Sequence, residues 1–462
     1  MKEMFLFKKL LLLIVILLVL VGFLMVSSVG ASSLMWSQSY GGTEEDMASS
    51  LDQTSDGGYI ITGYTESFGA GKEDVWLVKT DGEGNMMWNR TYGGPNSDYG
   101  ESVQQTSDGC YIVAGYTGWS EELPYDKNDP FYIIPANRPH ELHFDAYVVK
   151  TDGNGNMMWN RTYSSEGDDY GRSVEQTSDS GYVITGYTRA YAIPGVDSDS
   201  CDVWLFKIDG DGDVEWSQTY GGGVGKSVLQ TADGGYVIGG YTNGFLLIKT
   251  DPDGYMTWKK TYDIGREDTA FSVIQTSDGG YLVAGITHSL IEGIYDGWVV
   301  KTDPDGNVEW NRTYGGSERD SFGSVQQTAD GGYIMAGHTS SFDLGFLGGA
   351  WLVKTDEYGN MLWNRTYSED GGSATSVVQT LDGGIVFAGS TASIGSGNSD
   401  FWLVKTDEHG YIPEFSSWII LPLFLIATVV VTVYRNRLKQ KLLVNTAFLL
   451  TELKKSTTNF RC

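Results

Sequence analysis

Residues 53–65 read "QTSDGGYIITGYT", and six close copies follow, beginning at residues 105, 176, 230, 275, 327 and 379. Internal repetition on this scale has to be settled before length is divided into domains. Six copies hold an Asp-Gly turn signal, and the copy at 176 the variant Asp-Ser-Gly, followed by an apolar run rich in Tyr, Ile and Val, the pattern of a hairpin. Working outward from the second copy, the unit reads "SVQQTSDGCYIVAGYT", a variable loop, "DAYVVKTDGNGNMMWNRTY" and a Gly-rich acidic link. Four strands are expected: A over 102–106, B over 111–117, C over 145–151 and D over 156–163. The C–D connection, "TDGNGN" or "TDPDGN", supplies Gly, Asn and Asp where positive φ is needed.

Strands B and C are apolar at nearly every position, so both faces of each four-stranded sheet need cover. Seven such sheets cover one another when they close into a ring of blades. Twelve of the 14 tryptophans fall on repeat positions of strands C and D, where packing between blades is expected. The first repeat-like segment, "LMWSQSY" (34–40), is a strand D with no A, B or C before it. The last unit has A, B and C but "HGYIPEF" in place of its Trp-bearing strand D. The expectation is an all-β, seven-bladed β-propeller over residues 32–412, whose N-terminal strand completes the last blade.

The repeat resembles the Gly- and Tyr-rich surface propellers of archaea and some Bacteroidetes, in which "QTSDGGYIVAGYT" and "KTDGNGNMMW" recur in this order. The resemblance spans residues 34 to about 412 and implies a secreted or anchored surface protein. More distantly, "KTDGNGNMMW" looks like the strand-turn-Trp pattern of quinoprotein propellers, with no cofactor constellation to carry over.

The formal charge of −28 is unevenly spread. Setting aside residues 1–31 and those beyond Ile412 leaves about 21 bases against 56 acids, roughly −35. Such a surface repels nucleic acid and anionic head groups and attracts cations. Lys2, Lys8 and Lys9 precede an apolar run from Leu10 to Val26 and a small-residue site, so 1–31 reads as a secretory signal. An apolar stretch at 418–434, followed by Arg435, Arg437, Lys439 and Lys441, reads as a transmembrane helix with its basic end in the cytoplasm. Residues 413–441 thus form an anchor and 442–462 a short cytoplasmic tail, with the propeller outside the cell. Pro413, Glu414 and Phe415 ahead of that helix resemble the archaeal PEF sorting signal, which implies processing by an archaeosortase. Here the chain runs on past the basic cluster.

Candidate chemistry is thin. The A–B and C–D turns belong on one face of the ring, the D–A and B–C loops on the other, and the variable loop face is the expected partner surface. An insertion at 118–144 in blade 2 holds "PHELHF", with Trp119, His140, Glu141 and His143 as candidate binding residues. Asp46, Asp98, Asp169, Asp268 and Asp320 recur at one offset before strand A. They suit either a calcium-binding ring or the shaping of the turn by side-chain-to-backbone bonds. "DGDGD" (209–213) lacks the Gly and Glu of a calcium loop and reads as a hairpin turn. Asn89, Asn160, Asn311 and Asn364 are glycosylation acceptors by pattern. No nucleophile elbow or phosphate loop is present, and there are five His. The leading expectation is a non-catalytic surface propeller binding a glycan or another surface protein. The alternative is a hydrolase or lyase acting on extracellular polysaccharide at the mouth of the central channel. Convergent carboxylates and an aromatic platform at that mouth would favour the enzyme. Cys110 and Cys201 should lie on opposite faces, unbonded.

Overall fold

The computed structural model describes residues 35–120, 142–165, 167–190, 201–288, 295–342, 348–367, 371–392, 398–412, 435, 440, 443 and 446–451. The chain divides into two compact units, 1–411 and 412–462. In the second unit, residues 446–451 are helical, and among the described residues no helix is long and apolar enough to cross a membrane. The expectations for 1–31 and for Pro413–Phe415 lie outside the described residues, as does the stretch 418–434.

The first unit is a seven-bladed propeller of four-stranded antiparallel sheets. Six blades use four consecutive strands each. The seventh is completed by the first strand, Trp36–Tyr40, which pairs with Asp400–Thr406 from the far end of the chain. That closure is the one expected from the unpaired "LMWSQSY". Strands B and C are buried along almost their whole length, while strand D alternates exposed and half-buried residues at the rim. Each sheet can meet its apolar requirement only between two others, which is why the ring closes.

The repeated motif now has a part-by-part explanation. In "QTSDGG" the Thr hydroxyl donates to the Asp carboxylate, as in Thr54 to Asp56, and that carboxylate accepts the second Gly amide. The strand C Lys then pairs with the same Asp in all seven blades, from Lys79–Asp56 to Lys405–Asp382, at 2.6–3.4 Å. Burial opposes ionisation of Asp56, but the bonds from Thr54, Gly58 and Lys79 outweigh it and hold the carboxyl at about 2. The Gln reaches the preceding blade: Gln105 Oε1 accepts the Ser55 amide, and Gln176 that of Ser107.

Neighbouring blades are stapled at three radii. At the rim, each strand D Tyr donates to a Gly carbonyl in the next C–D turn, seven times, at 2.5–2.8 Å. Six of the strand D tryptophans pack edge-on or tilted against the next blade's strand B Tyr, as in Trp88–Tyr111 at 5.8 Å; beyond Trp363 that position is Ile385. Deeper in, strand C rings fill the wedge between blades, with Trp298 against Phe245 at 4.3 Å. Around the axis, Ser50 Oγ accepts the Val103 amide of the next blade at 3.2 Å, and the same bond recurs from Ser102, Ser173, Ser227, Ser272 and Ser324. Ser376 completes the circle by donating to the Leu51 carbonyl.

Strand A starts earlier than the pattern suggested. In blade 2 it spans Asp98–Gln105, where the sequence placed it at 102–106. The extra residues carry polar and small side chains at positions that no apolar alternation marks.

Candidate functional site

The early start of strand A hides a bulge. In every blade its pairing with strand B skips one residue, between Ala48 and Ser50, Gly100 and Ser102, Gly171 and Ser173, and at the four equivalent places. The glycine in "ITGYT" faces this irregularity. A Cβ on Gly63 would fall 1.9 Å from the Met47 carbonyl oxygen, and the other six equivalent glycines would clash as closely. Glycine is therefore required so that two backbones can approach at the bulge.

The residue left over in each bulge belongs to no ladder pair. These seven are Ser49, Glu101, Arg172, Lys226, Phe271, Gly323 and Thr375. All seven line one cavity of about 370 Å³ on the ring axis, together with Ser321, His338 and Ser373. No two are alike, although the Ser that follows is the same in all seven copies.

The ring is strongly asymmetric. Arg172 pairs with Glu101 of the preceding blade; the side chains are 16% and 23% exposed. Its guanidinium also lies 5.0, 5.4 and 5.6 Å from the ring centres of Tyr116, Tyr170 and Tyr187. Burial alone would weaken its charge, but Glu101 and the tyrosines outweigh that and push its pKa up. Arg172 Nε is buried without an acceptor. Lys226 lies over Phe271 at 5.8 Å. Burial first, then the charge of Arg172, lowers its amine to about 8, against the opposing pull of Glu101.

Above this ring an arc of aromatic residues spans blades 1–3. Tyr64 meets Tyr99 edge-on at 5.1 Å, Tyr99 stacks on Tyr116 at 4.8 Å, and Tyr116 meets Tyr170 at 4.9 Å. Tyr170 stacks on Tyr187 at 4.5 Å, and Phe144 leans on both Tyr116 and Tyr170. All six are half-buried, so their faces are held in place yet not fully covered. In blades 5–7 the strand B position of Tyr64 is held by Ile286, His338 and Ser390, so the run of tyrosines at that position does not continue on that side of the mouth. Acids gather at one end of the arc: the Tyr64 hydroxyl donates to Glu45 at 2.5 Å. Glu66 nearby has its pKa raised, first by burial and then by the charges of Glu45 and Glu73.

The residues singled out from the sequence are distributed differently. Trp119 and His143 face each other across an extension of the blade 2 hairpin, with ring centres 4.9 Å apart. His143 Nδ1 lies 3.4 Å from Asp168. His140 and Glu141 lie outside the described residues. Asp46, Asp98, Asp169, Asp268 and Asp320 are almost wholly buried. Each closes its D–A loop by accepting the amide four residues earlier, as Asp98 does from Gly94 at 2.7 Å. Among the described residues no three His, Cys, Asp or Glu side chains gather as metal ligands. Asn89, Asn160 and Asn311 are exposed on the outer strand, and Asn364 is half-buried. "DGDGD" is a C–D turn, with Gly212 at φ +88°. Cys110 in an A–B turn and Cys201 at the start of a strand C are both free.

Sequence reasoning directed the search to the insertion and missed the channel ring. The signal was present: the residue before the repeat Ser differs in all seven copies.

No family model matches the chain, and no curated protein matches it. Solved structures similar to it include a protein of unknown function from Bacteroides caccae, 13% identical, covering 69% of this chain and 97% of its own at a TM-score of 0.42. Sqt1 from Chaetomium thermophilum is 12% identical, covering 77% and 82% at a TM-score of 0.45. A protein of unknown function from Dyadobacter fermentans is 11% identical, covering 80% and 97% at a TM-score of 0.44.

Proposed function

We propose that this chain is a non-catalytic binding propeller of the cell surface, tethered outside the cell through 418–434, that takes a glycan at the loop-face mouth of its central channel. The observation that carries the reading is the arc Tyr64–Tyr99–Tyr116–Tyr170–Tyr187 with Phe144 beside it. Half-buried rings give a ligand large contact area at low entropic cost, and the adjoining hydroxyls and charges supply orientation. Both ends of the propeller leave from the turn face, since strand D begins and strand C ends there.

Titration of the full chain in detergent against a panel of neutral and acidic oligosaccharides, followed by tyrosine and tryptophan fluorescence, tests this. The double variant Tyr116→Ala/Tyr170→Ala is expected to lose binding at least 30-fold, on the basis of about 1 kcal/mol or more per ring. Unchanged affinity in that variant sinks the reading. The grouping of Glu45 and Glu66 beside the aromatic arc favours the polysaccharide-cleaving alternative, and release of new chain ends from a bound polymer would establish it.

A further inference from the structure

Among the charged groups of the described residues, two cations lie together in the channel: Arg172, which is paired with Glu101 of the preceding blade, and Lys226. The seven strand C lysines each hold an A–B turn Asp. Lys226 holds nothing of the kind: among the described residues no acceptor lies within hydrogen-bonding reach of its Nζ, and after burial the largest electrostatic influence on it is a second cation, Arg172, opposed by the Glu101 carboxylate. Arg172 spends Nη1 on Glu101 and reaches the Tyr187 hydroxyl with Nη2 at 3.5 Å, while its buried Nε has no acceptor. Burying charge without full compensation costs stability, and here the single carboxylate of Glu101 serves two cations, so the arrangement favours a second anion beside Lys226 and Arg172.

We propose that Arg172 and Lys226 form an anion subsite within the channel, taking a carboxylate or sulfate group carried by the glycan. This rests on the reading of the mouth as a glycan site and names the class of ligand. The seven bulge positions carry one acid and two bases inside a chain of formal charge −28, so the channel is a local inversion of the protein's field. Its sheltered position makes each charge-assisted hydrogen bond stronger than it would be in open water. Opposite the cations the wall is hydroxylic and small, with Ser49, Ser321, Ser373 and Thr375. His338 stands there too, with Nδ1 facing the Gly372 carbonyl at 2.9 Å. That wall suits the hydroxyls of a sugar ring whose charged group faces blades 3 and 4. The acidic exterior repels a long polyanion. The fitting ligand is therefore a chain end bearing a single charge, with neutral residues lying back along the aromatic arc.

The test is calorimetric titration of the full chain with cellobiose, cellobiouronic acid, cellobiose sulfated at its terminal residue, and inorganic sulfate alone. Substitutions are Lys226→Met, which keeps the stem packed on Phe271, and Arg172→Gln. Wild type is expected to bind one of the two charged disaccharides at least 10-fold tighter than cellobiose, and which one identifies the anion. Lys226→Met is expected to erase that preference while leaving cellobiose affinity unchanged, with a melting temperature equal to or above wild type. If cellobiose binds and neither charged sugar binds tighter, the anion subsite is overturned and the glycan reading stands. If no disaccharide binds but sulfate raises the melting temperature of wild type and not of Lys226→Met, the subsite stands and the glycan reading falls. A charge preference that survives both substitutions overturns the subsite, and so does silence in every arm, sulfate included.

Discussion

The turn face and the channel ring are built from the same seven repeats and follow opposite rules. On the turn face the motif is nearly invariant because every residue has a partner: Thr and Lys on the Asp, Gln on the previous blade, glycine where φ is positive. In the channel, the residue in the bulge has no partner in the sheet, and there the seven copies hold Ser, Glu, Arg, Lys, Phe, Gly and Thr. Sameness marks the residues that hold the ring together. Difference marks the residues that the ring holds out.

Breaking the shared part should hurt most. Trp298→Ala removes a fully buried ring from the wedge between blades 4 and 5 and is expected to cost about 3–5 kcal/mol, read from denaturant midpoints. Retention of wild-type stability would mean that blades do not depend on the wedge.

A second test uses the position just before the repeat Gln, which varies among the copies and holds an acid at Asp52 and Glu175. Glu175 accepts the Gln230 amide across the blade boundary, the bond that Gln104 and Gln326 make elsewhere in the ring. Burial pushes the Glu175 carboxyl up to about 7, against the pull of that amide. The folded state therefore holds a proton that the unfolded state releases near pH 4.3. This stabilisation is present below the unfolded pKa and is lost as pH rises through about 7, a change on the order of 3–4 kcal/mol. Glu175→Gln should abolish that pH-dependent loss and melt higher than wild type above pH 7. Equal melting curves across pH 4–8 would refute it.

A smaller gain is expected at Ser180, which stands in the A–B turn at φ +73° where six copies have glycine. Ser180→Gly should stabilise by about 1 kcal/mol by relieving left-handed strain. The smallest effect belongs to the channel. Ser49→Ala should leave stability within about 0.5 kcal/mol of wild type, because the side chain has no structural task to lose.

How much of this was legible follows from the same contrast. Blade number, strand order and ring closure were readable because each copy of "QTSDGGY" repeats one physical problem and solves it identically. The turn identity of "DGDGD" and the loop-shaping side of Asp98 and its equivalents were readable for that reason too. The channel ring was not. Glu101 and Arg172 are 71 residues apart, and only the packing of blade 3 against blade 2 brings them together. In a single copy, Arg172 looks like any polar residue at a strand start, and the bulge that turns it inward depends on the Gly186 backbone opposite. The aromatic arc was hidden differently: Tyr64, Tyr116 and Tyr187 sit within the repeated "GYT" and passed for scaffold. Their replacement by Ile286, His338 and Ser390 in the last three blades shows that the scaffold does not require them.

The account stands on the separation of the ring that folds from the residues it presents. The variant Glu101→Ser/Arg172→Ser/Lys226→Ser/Phe271→Ser, titrated calorimetrically with cellobiouronic acid while its melting temperature is recorded, tests that separation directly. It should melt within about 5 °C of wild type, since the Glu101–Arg172 pair is removed with both its partners and no core residue is touched, and should bind the acid at least 100-fold more weakly. Undiminished binding, or a collapse of melting temperature together with binding, would contradict it.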